Sequence, residues 1–272
     1  MTRRAAIGYR RLMKLRSVAA NRYVTPLREG GSLPAIIEAD DEGMYVLKFA
    51  GAGQGTKALV AELIGGELGR ALGLPVPELV FIELDADLAR TEPDPEIQQL
   101  IRASAGLNMG LDYLPGSVMF DPIVEQPDAD LASAIVWLDA YITNVDRTAR
   151  NTNLLMWHGR LRLIDHGAAL YFHHSWSDPL ARSGDPFALI KDHVLLKFAS
   201  RLREVDAMLA SELTAERIRD IVSLVPDSWL AGDATLGSPA AYRDVYVEYL
   251  LRRLASPRAF VEEAIRARSR CV

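Results

Sequence analysis

The sequence predicts an α+β protein in two parts, a small antiparallel β-sheet carrying one helix and then a mostly helical half. Three observations predict it. β-rich runs split by turn clusters fill residues 23–49, an apolar stripe at helical spacing runs from Leu131 to Val145, and the breaker Leu114-Pro115-Gly116-Ser117 separates the two patterns. The expected boundaries are a basic arm over 1–22, a sheet-bearing part over 23–113 and a helical part over 114–272.

Strands are expected at Tyr23–Leu27, Pro34–Ala39 and Met44–Phe49, joined by the glycine-rich Gly30-Gly31-Ser32 and by Asp40-Asp41-Glu42-Gly43. After the stretch Gly51–Gly55, Leu59, Leu63, Ile64, Leu68, Ala71 and Leu72 recur at helical spacing, which predicts a helix over 57–72 ended by Gly73, Pro75 and Pro77. Residues 78–84 read as a strand, 85–100 as an acidic loop with a short helix, and 108–113 as another short strand. Leu131, Ile135, Leu138, Ile142 and Val145 mark a buried helix. A hairpin over 152–164 turns at His158-Gly159, and helices dominate from Pro186, with Ser238-Pro239 and Ser256-Pro257 as starts.

Composition excludes several classes. With 49% hydrophobic and 25% charged residues in 272, the chain is neither fibrous nor wholly disordered. No run approaches the roughly 18 apolar residues of a membrane span, and no apolar signal core follows the basic start. The single cysteine, Cys271, excludes an internal disulfide framework. A cytoplasmic protein without a membrane partner is expected. Eight of the 31 basic residues lie within 1–28, which holds no acidic one, leaving 23 against 36 acidic residues beyond. Such an arm suits an anionic surface, a solvated leader, or contact with the chain's own acidic body. Only Tyr9 and Tyr23 interleave with its cations, which argues against a nucleic-acid partner.

The densest polar signal runs from Thr143 to Asn153, between the buried helix and the hairpin, and a second, Asp165-His166-Gly167, follows the hairpin. Phosphoryl transfer needs a carboxylate to orient or deprotonate a hydroxyl, and hard oxygen donors to hold Mg²⁺ on the phosphates. Asp146, Asn151 and Asp165 have the right chemistry. Lys48 stands in an apolar strand, where an ammonium is costly without partners. Glu62 on the following helix is a partner for it, with Glu67 as the competing choice. Gly30, Gly31 and Ser32 allow backbone N–H groups close to phosphates. The stretch from Gly51 to Lys57 fails the spacing of a P-loop. The histidines lack zinc-ligand spacing, and no Gly-x-Ser-x-Gly elbow marks a serine hydrolase.

This order of a strand lysine, a helix glutamate, Asp-x-x-x-x-Asn and a later Asp resembles the protein-kinase-like arrangement. In detail, Ala61-Glu62-Leu63-Ile64 running into Leu72-Gly73-Leu74-Pro75-Val76-Pro77-Glu78 is similar to the HipA-like Ser/Thr kinases, over roughly residues 24–230. The resemblance implies a bilobal protein-kinase-like fold with ATP and Mg²⁺. It implies Asp146 as catalytic base, Asn151 and Asp165 as metal ligands, and Lys48 with Glu62 as the phosphate anchor. By position it places a hinge at 108–116, with Asp112 and Tyr113 beside the adenine, and Ser32 nearest a loop serine that HipA toxins autophosphorylate. Two features depart from those toxins. Asp146-Arg147 opens the loop where they have Asp-Gly-His, closer to phosphoinositide-type kinases, and only about 29 residues precede Gly30, a compact form. The acceptor stays open between a protein and a small molecule, the latter as in the aminoglycoside phosphotransferases, and a non-catalytic nucleotide-binding pseudokinase is the further alternative. A cognate protein partner is compatible with each.

Overall fold

The computed structural model describes residues 14–27, 33–255 and 257–271. Gly30, Gly31, Ser32, Ser256 and the first thirteen residues lie outside them.

The first half is a closed barrel. Its strands are β1 (Arg16–Pro26), β2 (Ala35–Ala39), β3 (Met44–Lys48), β4 (Leu79–Leu84) and β5 (Gly106–Asp112), in the order β1-β2-β3-β5-β4. An antiparallel meander was the expectation. The difference comes from β1, which starts at Arg16, inside the segment assigned to the arm. Its first residues pair in parallel with β4, Arg16 opposite Val80 and Ala19 opposite Glu83, while residues from Ala20 onward pair antiparallel with β2. Two register shifts, at 20–22 and 23–25, bend the strand so that one ribbon reaches both neighbours. Arg16 and Arg22 thus discharge onto the acidic body: Arg16 binds Asp41 at 2.6 Å and Glu78 at 2.9 Å, and Arg22 binds Glu38 at 2.6 Å.

Small and branched residues fill the barrel: Val18, Ala35, Ile37, Leu47, Val80 and Ile82. Gly110 is required there, because a Cβ at that position would sit 2.3 Å from Ile82 Cδ1. The acidic connector contains α2 (Pro95–Ala103), whose Asp94 cap accepts the Glu96 N–H at 2.9 Å with Pro95 opening the helix. Ile97 and Ile101 of α2 close the barrel core.

The expected helix over 57–72 is α1 (Thr56–Ala71). Its buried residues run continuously from Leu59 to Gly69, because it lies between the barrel and the helices that follow. A two-residue strand, β6 (Val118–Met119), follows the breaker. Then comes α3 (Ala129–Tyr141), capped by Asp128, whose carboxylate accepts the Asp130 and Leu131 N–H groups. The predicted stripe ran on to Val145, but the helix stops at Tyr141 and the chain turns at Thr143, φ +55°. The hairpin is β7 (Leu154–Trp157) and β8 (Arg160–Leu163), with β6 added to its edge.

Helices were expected from Pro186. Instead, residues 171–198 run through four short 3₁₀ turns, and longer helices begin only with α4 (Leu202–Glu212). These are α5 (Ala215–Ser223), the single turn α6 (Asp227–Leu230), α7 (Pro239–Leu254) and α8 (Ala259–Arg268). Ser238 caps α7 through the Ala241 N–H at 3.2 Å, with Pro239 first in the helix. The second predicted start falls short, since α8 opens at Ala259 rather than Pro257. Arg253 of α7, buried, donates to the carbonyls of Ala140 and Tyr141 and so neutralises the C-terminal end of α3. Among the described residues no helix is long and apolar enough to cross a membrane.

Candidate active site

Lys48 is the last residue of β3, and its strand directs the side chain toward α1. Its Nζ lies 2.7 Å from Glu62 Oε2 and 2.6 Å from Asp165 Oδ1. Burial works against the ammonium, but the attraction of Asp165 and Glu62 outweighs it and holds Lys48 above its ordinary value. Glu62 is fully buried. Burial raises its pKa, yet Lys48 and the His166 N–H, donating to Oε2 at 2.7 Å, pull it below the usual carboxylate range. The choice between the two glutamates of α1 is thereby decided: Glu67 pairs with Arg70 at 2.9 Å on another face.

Glu62 ties Lys48 to the turn after β8. Asp165 stands there at φ +57°, a left-handed conformation that a non-glycine residue adopts at a cost, which the Lys48 contact helps to offset. His166 packs beneath α1 with no exposed surface, and only glycine at position 65 leaves it room, since a Cβ there would sit 2.9 Å from the His166 Cβ.

The loop after α3 supplies the other two residues. Asn151 Nδ2 donates to Asp146 Oδ2 at 2.8 Å, and Asn153 Nδ2 donates to the Asp146 carbonyl at 3.1 Å. This leaves the Asn151 amide oxygen and the second Asp165 oxygen without a hydrogen-bond partner among the described residues. Two hard oxygens of that kind fit a small divalent cation that takes its remaining ligands from phosphates and water.

These groups border a cavity of about 840 Å³, lined by Lys48, Asp112, Tyr113, Asn151 and Asp165 among others. Asp146 stands one hydrogen bond behind Asn151, and Glu62 behind Lys48. Leu27 and Pro34, the described residues on either side of the expected glycine turn, also line it, and the Leu27 N–H donates to the Pro34 carbonyl at 2.7 Å; Gly30, Gly31 and Ser32 themselves lie outside the described residues. Asp112 and Tyr113 line the cavity, and their backbone N–H groups are spent on the carbonyls of Glu78 and Met44. Neither amide is available to a ligand.

The family of HipA-like kinases matches residues 21–263. The chain belongs to the HipA-like kinases. Among solved structures it is similar to the Helicobacter pylori proinflammatory kinase CtkA, with a TM-score of 0.53 and 12% identity over 90% of this chain and 97% of that one. It is also similar to the Golgi casein kinase with Mn/ADP bound, with a TM-score of 0.49 and 11% identity over 90% of this chain and 74% of that one. No curated protein matches the chain. The fold is kinase-like and the protein is a kinase.

One group in this kinase escaped sequence reasoning. Asp139 of α3, Arg147 and His193 form a buried cluster directly behind the Asp146 loop. The available signal was Asp139 itself, a carboxylate inside the apolar run Ile135–Ile142, which has no place there without a cation.

Proposed function

We propose that this kinase transfers the γ-phosphoryl group of ATP to an alcohol, a serine or threonine of a protein first of all. The observation that carries the reading is the double contact of Lys48 with Glu62 and Asp165 at the floor of the cavity. It joins strand, helix and metal-site turn at one nitrogen, where phosphate charge needs a fixed cation.

In this reading the cavity divides into an inner polar end and an outer apolar end. Ile36, Val46, Leu111 and Leu155 offer flat apolar contact to a purine, while Lys48 meets the phosphates. Asn151 and Asp165 are the residues that would hold Mg²⁺, which supplies charge neutralisation between the phosphates. Asp146, oriented by Asn151, accepts the hydrogen of the acceptor hydroxyl and aims its oxygen in line with the leaving group. Glu62 does not touch substrate; it keeps Lys48 in place, so that the ammonium need not be reorganised during transfer. Gly30, Gly31 and Ser32 lie outside the described residues and keep their proposed role toward the phosphates. The division into an N-terminal lobe over 23–113 and a C-terminal lobe over 114–272 belongs to the same reading, with the cavity between them.

The test uses γ-labelled ATP with Mg²⁺ on the wild type and on Asp146→Ala, in the presence of acceptor pools. Transfer to a protein band, about 10²–10⁴-fold slower in Asp146→Ala with ADP affinity retained, is expected. Label appearing only in small molecules moves the acceptor class. Equal rates in wild type and Asp146→Ala defeat the assignment of the base.

A further inference from the structure

Arg147 follows Asp146 in the chain, but its side chain runs the other way, into the protein, with no exposed surface. Nε donates to Asp139 Oδ2 at 2.5 Å. Nη1 donates to the carbonyls of Asn153 and, at 3.1 Å, Ile164. Those two carbonyls sit at particular places. Asn153 lies two residues past Asn151, and Ile164 immediately precedes Asp165. One guanidinium therefore spans the end of the Asp146 loop and the start of the Asp165 turn.

The fork is itself held from behind. His193 Nδ1 accepts the Leu195 N–H at 3.0 Å, so its Nε2 carries the hydrogen and donates to Asp139 Oδ2 at 2.9 Å. Asn144 Nδ2 donates to the other Asp139 oxygen at 2.9 Å. The Val194 N–H meets the Arg147 carbonyl at 3.0 Å, and Thr148 pairs with His193 in an isolated bridge. The circle closes through Asn153, whose side chain holds the Asp146 carbonyl while its own carbonyl holds Arg147.

We propose that Arg147, locked by Asp139 and His193, is a positioning residue that sets the Asp146–Asn151 loop at its working distance from Asp165. The inference rests on the roles given above to Asn151 and Asp165. A lysine cannot replace it, because a point charge cannot serve a carboxylate and two carbonyls in one plane. Misplacing catalytic groups by about 1 Å costs on the order of 10²-fold in rate. The loss falls on the metal-dependent part of binding and on turnover, not on contacts made by the apolar end of the cavity.

The test compares wild type, Arg147→Lys and the double variant Asp139→Asn/Arg147→Gln, which removes both buried charges. ADP affinity is measured by calorimetry with and without Mn²⁺, and phosphate release from ATP is measured per ADP-binding site. Metal-free ADP affinity within about threefold of wild type is expected in both variants, with the Mn²⁺-dependent tightening and the turnover each reduced at least about tenfold. Mn²⁺ tightening and turnover kept within threefold in either folded variant overturn the proposal. So does an equal loss of metal-free and metal-dependent binding, or failure of both variants to fold, since Arg147 is then simply structural. Wild-type protein that binds ADP no more tightly with Mn²⁺ defeats the metal-site reading itself, and this inference falls with it.

Discussion

Two charged clusters lie on either side of the Asp146 loop, and they differ in access. Lys48, Glu62 and Asp165 form the open one: the Lys48 side chain is 13% exposed and that of Asp165 41%, while Glu62 is buried. Asp139, Arg147 and His193 form the closed one, at 0%, 0% and 2%. Both place cationic or N–H donors around buried carboxylates, so electrostatics alone does not separate their tasks. Solvent access does. A lysine at a cavity wall can exchange a carboxylate for a phosphate, whereas the closed cluster can only hold backbone in place.

That contrast can be broken by removing one member from each side. Asp139→Ala leaves the Arg147 guanidinium buried without its counter-charge and should cost about 3–5 kcal/mol in urea unfolding, the largest stability effect expected here. Lys48→Met should cost less, about 1–3 kcal/mol, because Glu62 keeps the His166 N–H and Asp165 can turn to water. Its larger consequence is on kcat/KM for ATP, expected to fall by at least about 10²-fold, the scale of losing one preorganised charged donor. A Lys48→Met protein as unstable as Asp139→Ala would erase the distinction between the clusters.

Acid sharpens it. Glu62 and Asp139 are held below their ordinary values of 4.5 and 3.8: burial opposes their charge, and Lys48 for the one and Arg147 for the other outweigh it. A depressed carboxylate contributes stability that is complete above the unfolded-state value and is lost as pH falls through the folded one. Unfolding free energy is therefore expected to hold steady on this account down to about pH 5 and to decline below about pH 4. Glu62→Gln should decline less steeply over the same interval, since one of the depressed carboxylates is gone. A parallel acid limb in both proteins counts against the Lys48–Glu62 coupling. The smallest effect is expected far from either cluster. Arg203 and Glu262 pair at 2.9 Å but are 65% and 59% exposed, so Arg203→Ala should shift stability by no more than about 0.5 kcal/mol.

Much of the local structure was legible in the residue order. The α1 helix, the β7–β8 hairpin and the cap at Ser238 were each announced by periodicity or by turn chemistry within a few residues. Lys48 was legible as a cation out of keeping with its apolar strand, and Asp146, Asn151 and Asp165 as hard oxygen donors in the order that phosphoryl transfer needs. The start of β1 was not, because Arg16–Arg22 reads as part of a basic arm until Asp41, Glu78 and Glu38 are brought alongside. Arg147 was passed over for a related reason: it lies on a loop full of polar residues, and its partner Asp139 is hidden in an apolar helix.

By itself, then, the sequence determined the α1 helix, the β7–β8 hairpin and the Ser238 cap, since each follows from neighbours within a turn or two. Tertiary structure alone decided the rest: that the sheet closes into a barrel, that Glu62 rather than Glu67 meets Lys48, and that Arg147 turns inward. Those outcomes depend on contacts between positions as far apart as 48 and 165 or 139 and 193. For the ion pairs the energy comes from attraction between charges that outweighs the cost of burying them, and that term has no value until the chain has folded.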